Sequence, residues 1–267
     1  MCGITGYIGN KEAAPILLKS LKRMEYRGYD SAGISTIKEN NIIIKKDIGR
    51  IDFINEKIEL SKAKGKIGIA HTRWATHGGV TRENAHPHAS CKNEVILVHN
   101  GIIENYRELF EELSDNHKIK SETDSEIIVH LIEEEYNKSK DPLKTLQNIS
   151  KKLNGSFALV VIFSDKKDEI YGVRKYAPLI VGIGEQENFI SSDIVSFIDY
   201  TDNVIFLEDK EIIRVTSESI EIINFDGDQI TRDKTHVAWE AADISKEEFS
   251  HHTICLLYTS PSPRDRG

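Results

Sequence analysis

The pattern of hydrophobic and polar residues begins with a short alternation over residues 2–8. In the predicted strand, Cys2, Ile4 and Ile8 fall on one face and Tyr7 falls on the other. A strand that starts at Cys2 holds that residue on a rigid element. Taken alone, a cysteine next to the first methionine is more typical of a small packed residue than of a reactive one.

Helical spacing of apolar residues recurs from residue 13 to residue 153. The first predicted helix ends at Gly28, and the helix that opens at Thr123 has a capping box formed with Glu126. The predicted helices cover residues 13–24, 51–61, 103–113, a segment starting at 123, and residues 142–153.

Strand patterns lie on both sides of this helical middle region. Asp226 and Gly227 predict a hairpin turn close to the last strand. The strands predicted after the first cover residues 31–38, 41–46, 66–71, 94–99, 156–163, 169–174, 179–183, 188–191, 204–207, 211–215 and 219–225. Because strands and helices do not alternate, the order predicts an α+β fold with antiparallel sheets and helices on their outer faces.

The amino-acid composition argues against some classes of binding partner. The 267 residues carry 35 basic and 43 acidic side chains, a net charge of -8, which argues against nucleic acid or an anionic membrane as a partner. Three widely spaced cysteines do not make a disulfide framework, so a reducing compartment is expected. Without a long apolar run or a signal peptide, the sequence predicts a soluble, cytoplasmic protein.

Cys2 is the first candidate for chemistry. If Met1 is removed, Cys2 carries a thiol and a free α-amine on one Cα. The thiolate is the reactive form, and a free cysteine with a pKa of about 8.5 is only partly ionised at neutral pH. The α-amine titrates at about 7.7–8.0 and can act as the base, directly or through one water. One residue then provides both nucleophile and base.

Other polar groups follow predicted strands. Arg73 has the planar fork that suits a carboxylate, and Trp74 offers a flat apolar cover. Asn100 and Gly101 provide side-chain and backbone N–H groups for an oxyanion hole, although an Asn-Gly turn is the simpler interpretation. Asp124 can accept a substrate ammonium or merely favour a helix N-terminus. For each residue alone, the structural interpretation is the more common one.

His86, His88 and Cys91 suggest a metal site, since alternate residues of an extended stretch face one way. Zinc needs further ligands at suitable spacing, and the sequence indicates none. Histidines held by local hydrogen bonds are the favoured interpretation, and no metal is predicted. The sequence contains no phosphate-binding P-loop, GxGxxG after a strand or GxSxG, so nucleotide-dependent and serine-hydrolase functions lack support.

Five segments taken together change these interpretations. They are CGI at 2–4, EYRGYDSAG at 25–33, GIAHTRWATHG at 68–78, VHNGIIEN at 98–105 and SETD at 121–124. In this order they closely resemble the glutaminase domain of the glutamine–fructose-6-phosphate aminotransferase family, over residues 2 to about 240. The resemblance implies the N-terminal-nucleophile hydrolase fold, a four-layer αββα sandwich with two antiparallel sheets.

The resemblance also implies residue roles. Cys2 attacks the side-chain amide of L-glutamine with its own α-amine as base, while Asn100 and Gly101 hold the oxyanion. Arg73 binds the glutamine α-carboxylate, and Asp124 binds the α-ammonium. No cofactor is implied.

Supporting roles follow from the same resemblance. Trp74, Thr76 and His77 resemble the loop that closes on the substrate. Arg27 and Gly28 resemble residues beside the nucleophile. His86 matches a recurring position, where a polar packing role is expected rather than metal binding.

The resemblance divides the chain into three parts. Residues 2–240 are expected to form the glutaminase domain, residues 241–253 the start of a linker, and residues 254–267 a disordered tail unlike the family. Fructose 6-phosphate then binds only through an isomerase part that this chain lacks, and the parent protein is expected to be a homodimer. The chain is interpreted as a fragment that releases ammonia from glutamine.

Three rival functions stay open at this point. One is another N-terminal-nucleophile amidotransferase, such as amidophosphoribosyltransferase, or an amidase. A simple amidase has no need of Arg73 and Asp124 to hold both ends of an amino acid. A second is a non-catalytic glutamine-binding regulator, which has no need of an oxyanion hole. The third is a zinc hydrolase using His86, His88 and Cys91.

Overall fold

The computed structural model describes residues 2–39, 41–75, 78–113 and 117–237. Its strands are β1 (Gly3–Ile8), β2 (Ser31–Lys38), β3 (Asn41–Ile48), β4 (Ile67–Arg73), β5 (His88–Ala89), β6 (Val95–Ile103), β7 (Gly155–Phe163), β8 (Ile170–Lys175), β9 (Ile180–Ile183), β10 (Asn188–Ser191), β11 (Asn203–Phe206), β12 (Glu211–Val215), β13 (Ile220–Asn224), β14 (Gln229–Ile230) and β15 (Thr235–His236). Its helices are α1 (Ala13–Arg23), α2 (Ile51–Ile58), α3 (Tyr106–Glu112), α4 (Asp124–Ser139) and α5 (Pro142–Lys152).

The strands form two antiparallel sheets. One has the order β15-β11-β9-β10-β1-β4-β2-β3, and the other has the order β14-β13-β12-β8-β7-β6-β5. The helices cover the outer faces: α1 and α2 pack on the first sheet, and α3, α4 and α5 pack on the second. A third apolar cluster fills the space between the sheets. The predicted α+β fold with two antiparallel sheets and outer helices is confirmed.

Strand β1 lies in the interior of the first sheet, between β10 and β4. Its residues are buried on both faces: Ile4 and Ile8 face the other sheet, and Tyr7 faces the helices. This is the alternation predicted from the sequence. Gly3 pairs with Thr72 of β4, so Cys2 lies next to the end of β4.

Several local predictions need correction. The strand predicted at residues 66–71 continues through Arg73, because residues 67–73 all pair with neighbouring strands. Helix α1 ends at Arg23, and a 3-10 turn separates it from Gly28. Asn100 and Gly101 do not form a turn, since β6 continues through both of them.

The predicted capping box at the start of α4 does not form. Thr123 is the N-cap residue but makes no side-chain capping bond, since its hydroxyl contacts Ser121 and His88 instead. The Glu126 carboxylate accepts backbone N–H groups of Lys120 and Ser121, not that of Thr123. The helix still begins where the sequence predicts.

The turn predicted at Asp226 and Gly227 joins β13 to β14. Strand β15 is absent from the sequence prediction, because two exposed polar residues carry no periodic signal. No helix in the described ranges has the length and apolar character needed to span a membrane.

The apolar cluster between the two sheets leads to a prediction about stability. Ile69 is fully buried there, whereas Ile48 on the edge strand β3 is 40% exposed. We expect Ile69→Ala to lower the free energy of unfolding by about 2–5 kcal/mol, because the substitution leaves a cavity. The matched control Ile48→Ala should lower it by less than about 1 kcal/mol. Urea denaturation of the three proteins measures the difference, and equal losses would contradict the assigned core.

Candidate active site around Cys2

The Cys2 thiol lies against the backbone of Trp74. The Trp74 N–H donates to Cys2 Sγ at 3.2 Å, and the thiol contacts the Trp74 carbonyl oxygen at 3.5 Å. Burial is the main influence on the thiol and raises its pKa, although the Trp74 hydrogen bond acts in the opposite direction. A thiol with a raised pKa is protonated at neutral pH, so it needs a base before it can attack.

The carbonyl oxygen of Cys2 accepts two hydrogen bonds, one from the turn after α1 and one from β6 of the second sheet. Arg27 Nε donates at 3.1 Å, and Asn100 Nδ2 donates at 3.0 Å. Arg27 is itself held by an ion pair with Asp193 at 2.7 Å, where both side chains are largely buried. Tyr26 donates to the same Asp193 oxygen at 2.7 Å. The backbone of the first described residue is therefore fixed in place.

Gly28 allows the chain to pass very close to the end of β4. A Cβ at this position would lie 2.6 Å from the carbonyl carbon of Arg73 and 2.7 Å from the Trp74 nitrogen. These contacts are with backbone atoms, which cannot turn away as a flexible side chain can. The close approach explains why glycine stands there, and Thr72 Oγ1 donates to the Gly28 carbonyl oxygen.

Asp30 holds the segment that carries Trp74. Its backbone N–H donates to the Arg73 carbonyl at 3.1 Å, and its carboxylate accepts the Ala75 N–H at 2.8 Å. Both bonds fix the chain immediately after β4, so the position of the Trp74 N–H relative to the thiol is determined by Asp30.

A narrow pocket of about 40 Å³ opens at Cys2. Its walls include Arg73 and Asp124, which bring opposite charges to one space, and the exposed Gly101. Asp124 Oδ2 accepts the backbone N–H of Ile103 at 2.9 Å, so the carboxylate is held at the first residue of α4.

Asn100 lies at the junction of the two sheets. Its Oδ1 contacts His71 Nε2 at 3.0 Å, and its Nδ2 donates to the Cys2 carbonyl. An amide nitrogen carries two hydrogens, so one N–H of Asn100 is available beyond that bond. Gly101 follows with a φ of +126°, and a Cβ there would lie 2.0 Å from the Ser156 carbonyl oxygen. Only glycine fits this position of β6.

Buried histidines form the floor beneath the pocket. Ser125 Oγ contacts His86 Nε2 at 3.0 Å and His99 Nδ1 at 2.9 Å, while the rings of His71 and His86 stack at 4.1 Å. Burial lowers the pKa of His71 to about 3 and holds the pKa values of His86 and His99 below the ordinary value. These histidines are neutral at pH 7.

The structure therefore brings most of the sequence-predicted residues to one end of the sandwich. Cys2, Arg73, Trp74, His86, Gly101 and Asp124 line the pocket, and Arg27, Gly28 and Asn100 contact Cys2 or its neighbours. Thr76 and His77 lie outside the described residues. His86 makes a hydrogen bond to Ser125, 39 residues along the chain, rather than a local one, and it does not join Cys91 in any metal-ligand group of the described residues.

Sequence reasoning did not assign roles to Asp30, Asp193 or Ser125. Asp30 lies inside one of the five family-like segments, so the resemblance could have suggested a role for it beside Arg27 and Gly28. Asp193 is 166 residues from Arg27, and no local pattern connects them. Ser125 lies at the predicted start of the helix, where no local pattern distinguishes it from its neighbours.

The buried histidines predict acid sensitivity. Because their folded pKa values lie below the unfolded value of about 6.5, the unfolded chain binds more protons, and stability falls as the pH drops below about 6.5. His71, whose folded pKa is about 3, removes about 2 kcal/mol from the free energy of unfolding between pH 7.5 and pH 5. His86 and His99, whose pKa values are also lowered by burial, add to this loss. Urea denaturation across this range, with a chelator present, measures the loss.

Two variants test that assignment. His86→Gln should reduce the pH-dependent loss, whatever its effect on stability at pH 7.5. The matched change His236→Gln, at a histidine whose contact with Asp202 is exposed to solvent, should alter the loss far less. The same pH dependence in all three proteins would show that the buried histidines do not titrate on unfolding.

Comparison with known proteins agrees with this geometry. Residues 71–199 match the glutamine amidotransferase domain family. The chain is 45% identical over 271 residues to glutamine–fructose-6-phosphate aminotransferase [isomerizing] of Methanococcus maripaludis, covering 98% of this chain and 45% of the relative. The enzyme of the same name from Thermococcus kodakarensis is 43% identical over 263 residues, with 98% and 44% covered. The chain spans less than half the length of these relatives.

Comparison with solved structures supports the same family assignment. The glutamine phosphoribosylpyrophosphate amidotransferase from B. subtilis, complexed with ADP and GMP, superposes with a TM-score of 0.72 at 26% identity, covering 84% of this chain and 49% of that one. The two antiparallel sheets and the helices outside them are thus shared with an N-terminal-nucleophile amidotransferase. Sequence relatives, structural neighbours and the arrangement around Cys2 agree: the chain belongs to the glutamine amidotransferase domain family.

Proposed function

We propose that this chain hydrolyses the side-chain amide of L-glutamine through a thioester on Cys2. The observation that carries the proposal is the pocket at Cys2, where a thiol at the start of a central strand faces walls that include Arg73 and Asp124. A guanidinium and a carboxylate in one pocket match the two charges of an amino acid, and the thiol supplies the nucleophile.

The thiol needs a base, because burial raises its pKa. We infer that the base is the α-amine of Cys2, which is exposed for this role once Met1 is removed. An α-amine has a pKa of about 7.7–8.0, close to working pH, where general bases are most effective. The buried histidines are poor candidates, since their pKa values are low and a weak base takes a thiol proton inefficiently.

The reaction then proceeds in two stages. Cys2 Sγ attacks the amide carbon while its proton passes to the α-amine, and the tetrahedral oxyanion receives N–H groups of Asn100 and Gly101. Collapse breaks the C–N bond, the proton is delivered to the leaving nitrogen, and ammonia departs from a γ-glutamyl thioester. Water, deprotonated by the same amine, attacks the thioester, releases glutamate and restores the thiol.

Substrate recognition in this proposal depends on charge. Arg73 pairs with the α-carboxylate and Asp124 with the α-ammonium, while Trp74, which is 43% exposed, covers the bound molecule together with Thr76 and His77.

The proposal also names the acceptor of the ammonia. In a protein of the full length of the aminotransferase relatives, ammonia is transferred to fructose 6-phosphate to give glucosamine 6-phosphate. Identities of 43–45% to those enzymes, against 26% to the phosphoribosylpyrophosphate enzyme, support the sugar acceptor. Residues 2–240 then form the glutaminase domain, within a cytoplasmic homodimeric parent.

The first prediction concerns turnover. We expect purified chain, with an N-terminal cysteine confirmed by intact mass, to release ammonia and glutamate from glutamine in equal amounts. Cys2→Ala should lower the rate by several orders of magnitude. A form that retains Met1 is a matched control with an unchanged thiol and no free α-amine on Cys2, and it should also be inactive. Glutamine binding without turnover by the processed chain would instead support a regulator.

The second prediction concerns recognition. Arg73→Gln and Asp124→Asn each remove one charge-assisted contact of about 1.5–3 kcal/mol. We therefore expect KM for glutamine to rise about 10–150-fold with kcat changed only a few-fold. The same substitutions at exposed positions, Arg107→Gln and Asp168→Asn, should leave both constants unchanged. A fall in kcat at constant KM would contradict the assigned binding roles.

A further inference from the structure

Four potential metal ligands meet beside the middle of α4, whereas the pocket at Cys2 lies at the first residues of that helix. Cys91 lies in the turn between β5 and β6, His117 lies in the segment that precedes α4, and His130 and Glu133 lie one turn apart on α4 itself. One ligand atom from each residue lies within 4.8 Å of all the others. His130 and Glu133 are buried, and Cys91 is exposed, so an ion can reach the cluster from solvent.

Four of the six distances between ligand atoms match the edges of a tetrahedron. Cys91 Sγ lies 3.4 Å from His117 Nδ1 and 3.8 Å from His130 Nδ1. Glu133 Oε2 lies 3.3 Å from the first of these nitrogens and 3.4 Å from the second. Around a tetrahedral zinc ion, N and O ligands are about 3.3 Å apart, and S and N ligands are about 3.6 Å apart.

The ring nitrogens of the two histidines that lie outside the cluster face carboxylates. His117 Nε2 lies 3.2 Å from Glu134 Oε1, and His130 Nε2 lies 3.8 Å from Glu126 Oε1. In neutral imidazoles whose Nε2–H faces these carboxylates, both Nδ1 atoms present lone pairs. Those lone pairs then face the oxygen of Glu133, which is also an acceptor. A cation at the centre turns each of these repulsive contacts into an attractive one.

One outer carboxylate is also placed as in metal centres. A metal-bound histidine usually donates its other ring N–H to a carboxylate, which fixes the tautomer and orients the ring. Glu134 occupies this position for His117, while Glu126 lies 3.8 Å from His130 Nε2, beyond hydrogen-bond distance. The Glu133 carboxylate accepts the backbone N–H of Cys91 at 3.2 Å, which orients it toward the cluster.

We propose that Cys91, His117, His130 and Glu133 bind a structural zinc ion. A thiolate, a carboxylate and two neutral imidazoles balance the charge of Zn²⁺, and four protein ligands leave no open position for catalysis. The sequence suggested Cys91 as a ligand, but with His86 and His88, whose Nε2 atoms face Ser125 and Thr123 instead. The prediction of no metal is revised by this proposal, which is independent of the glutaminase reaction.

The ion would fasten three separate parts of the chain. It joins the β5–β6 turn and the segment at His117 to α4, whose first residue is Asp124. Stable placement of α4 fixes one wall of the pocket at Cys2. The zinc therefore contributes to the shape of the pocket without touching the substrate.

Cobalt provides the direct test. The purified full chain is stripped with a chelator and titrated with Co²⁺, then with Zn²⁺. We expect one Co²⁺ per chain, with the intense visible bands of tetrahedral cobalt and a thiolate charge-transfer band, both removed by one equivalent of Zn²⁺. Saturating Zn²⁺, at about 1,000 times Kd, should raise Tm by about 8–16 °C.

Variants identify the ligands. Cys91→Ser should abolish the charge-transfer band, whereas the same change at the other described cysteine, Cys2→Ser, should leave it intact. Glu134→Gln should weaken zinc affinity about 10–100-fold. A weak octahedral cobalt spectrum, no saturable binding, or a thiolate band that survives Cys91→Ser would overturn the proposal, and wild-type protein alone decides the first two outcomes.

Discussion

Two hydrogen bonds to one carbonyl oxygen hold together the end of the molecule that carries Cys2. The oxygen of Cys2 accepts Arg27 Nε and Asn100 Nδ2, so the start of β1 is tied both to the turn after α1 and to the second sheet. Arg27 is buried and depends on Asp193 for its counter-charge, and removing one member of a buried pair is strongly destabilising. Most of the geometry at the thiol follows from this arrangement.

The thiol lies in a tightly packed environment of low polarity. Backbone packs directly on backbone at Gly28, the histidines beneath are neutral, and the pocket has little free volume. Such an environment disfavours charge on the resting thiol, and it strengthens hydrogen bonds to any charge that develops during reaction. The local environment thus disfavours a standing thiolate and suits a nucleophile that is activated only when substrate and base are in place.

Local patterns in the sequence predicted the elements well. Strands β2, β10 and β12 have the predicted bounds, and the alternation in β1 is the observed one, because side-chain periodicity is a local property. Contacts between distant segments were not predictable. Nothing in the periodicity pairs Arg27 with Asp193, or gathers His117 and His130 around Cys91, since only the fold brings them together. The polar residues at the ends of strands were identified from the sequence as candidate functional residues. Their roles were assigned by the resemblance to a known family, not by residue type.

The position of β1 also has a consequence for biosynthesis. One of its neighbours, β10, is far along the chain: Ser191 Oγ donates to the Ile4 carbonyl across 187 residues. At a translation rate of about 5–20 residues per second, β1 waits roughly 10–40 s for this partner. During that interval its end is unfolded and open to enzymes that act on nascent chains. The fold therefore leaves time for the removal of Met1, on which the proposed chemistry of Cys2 depends, before β1 is enclosed.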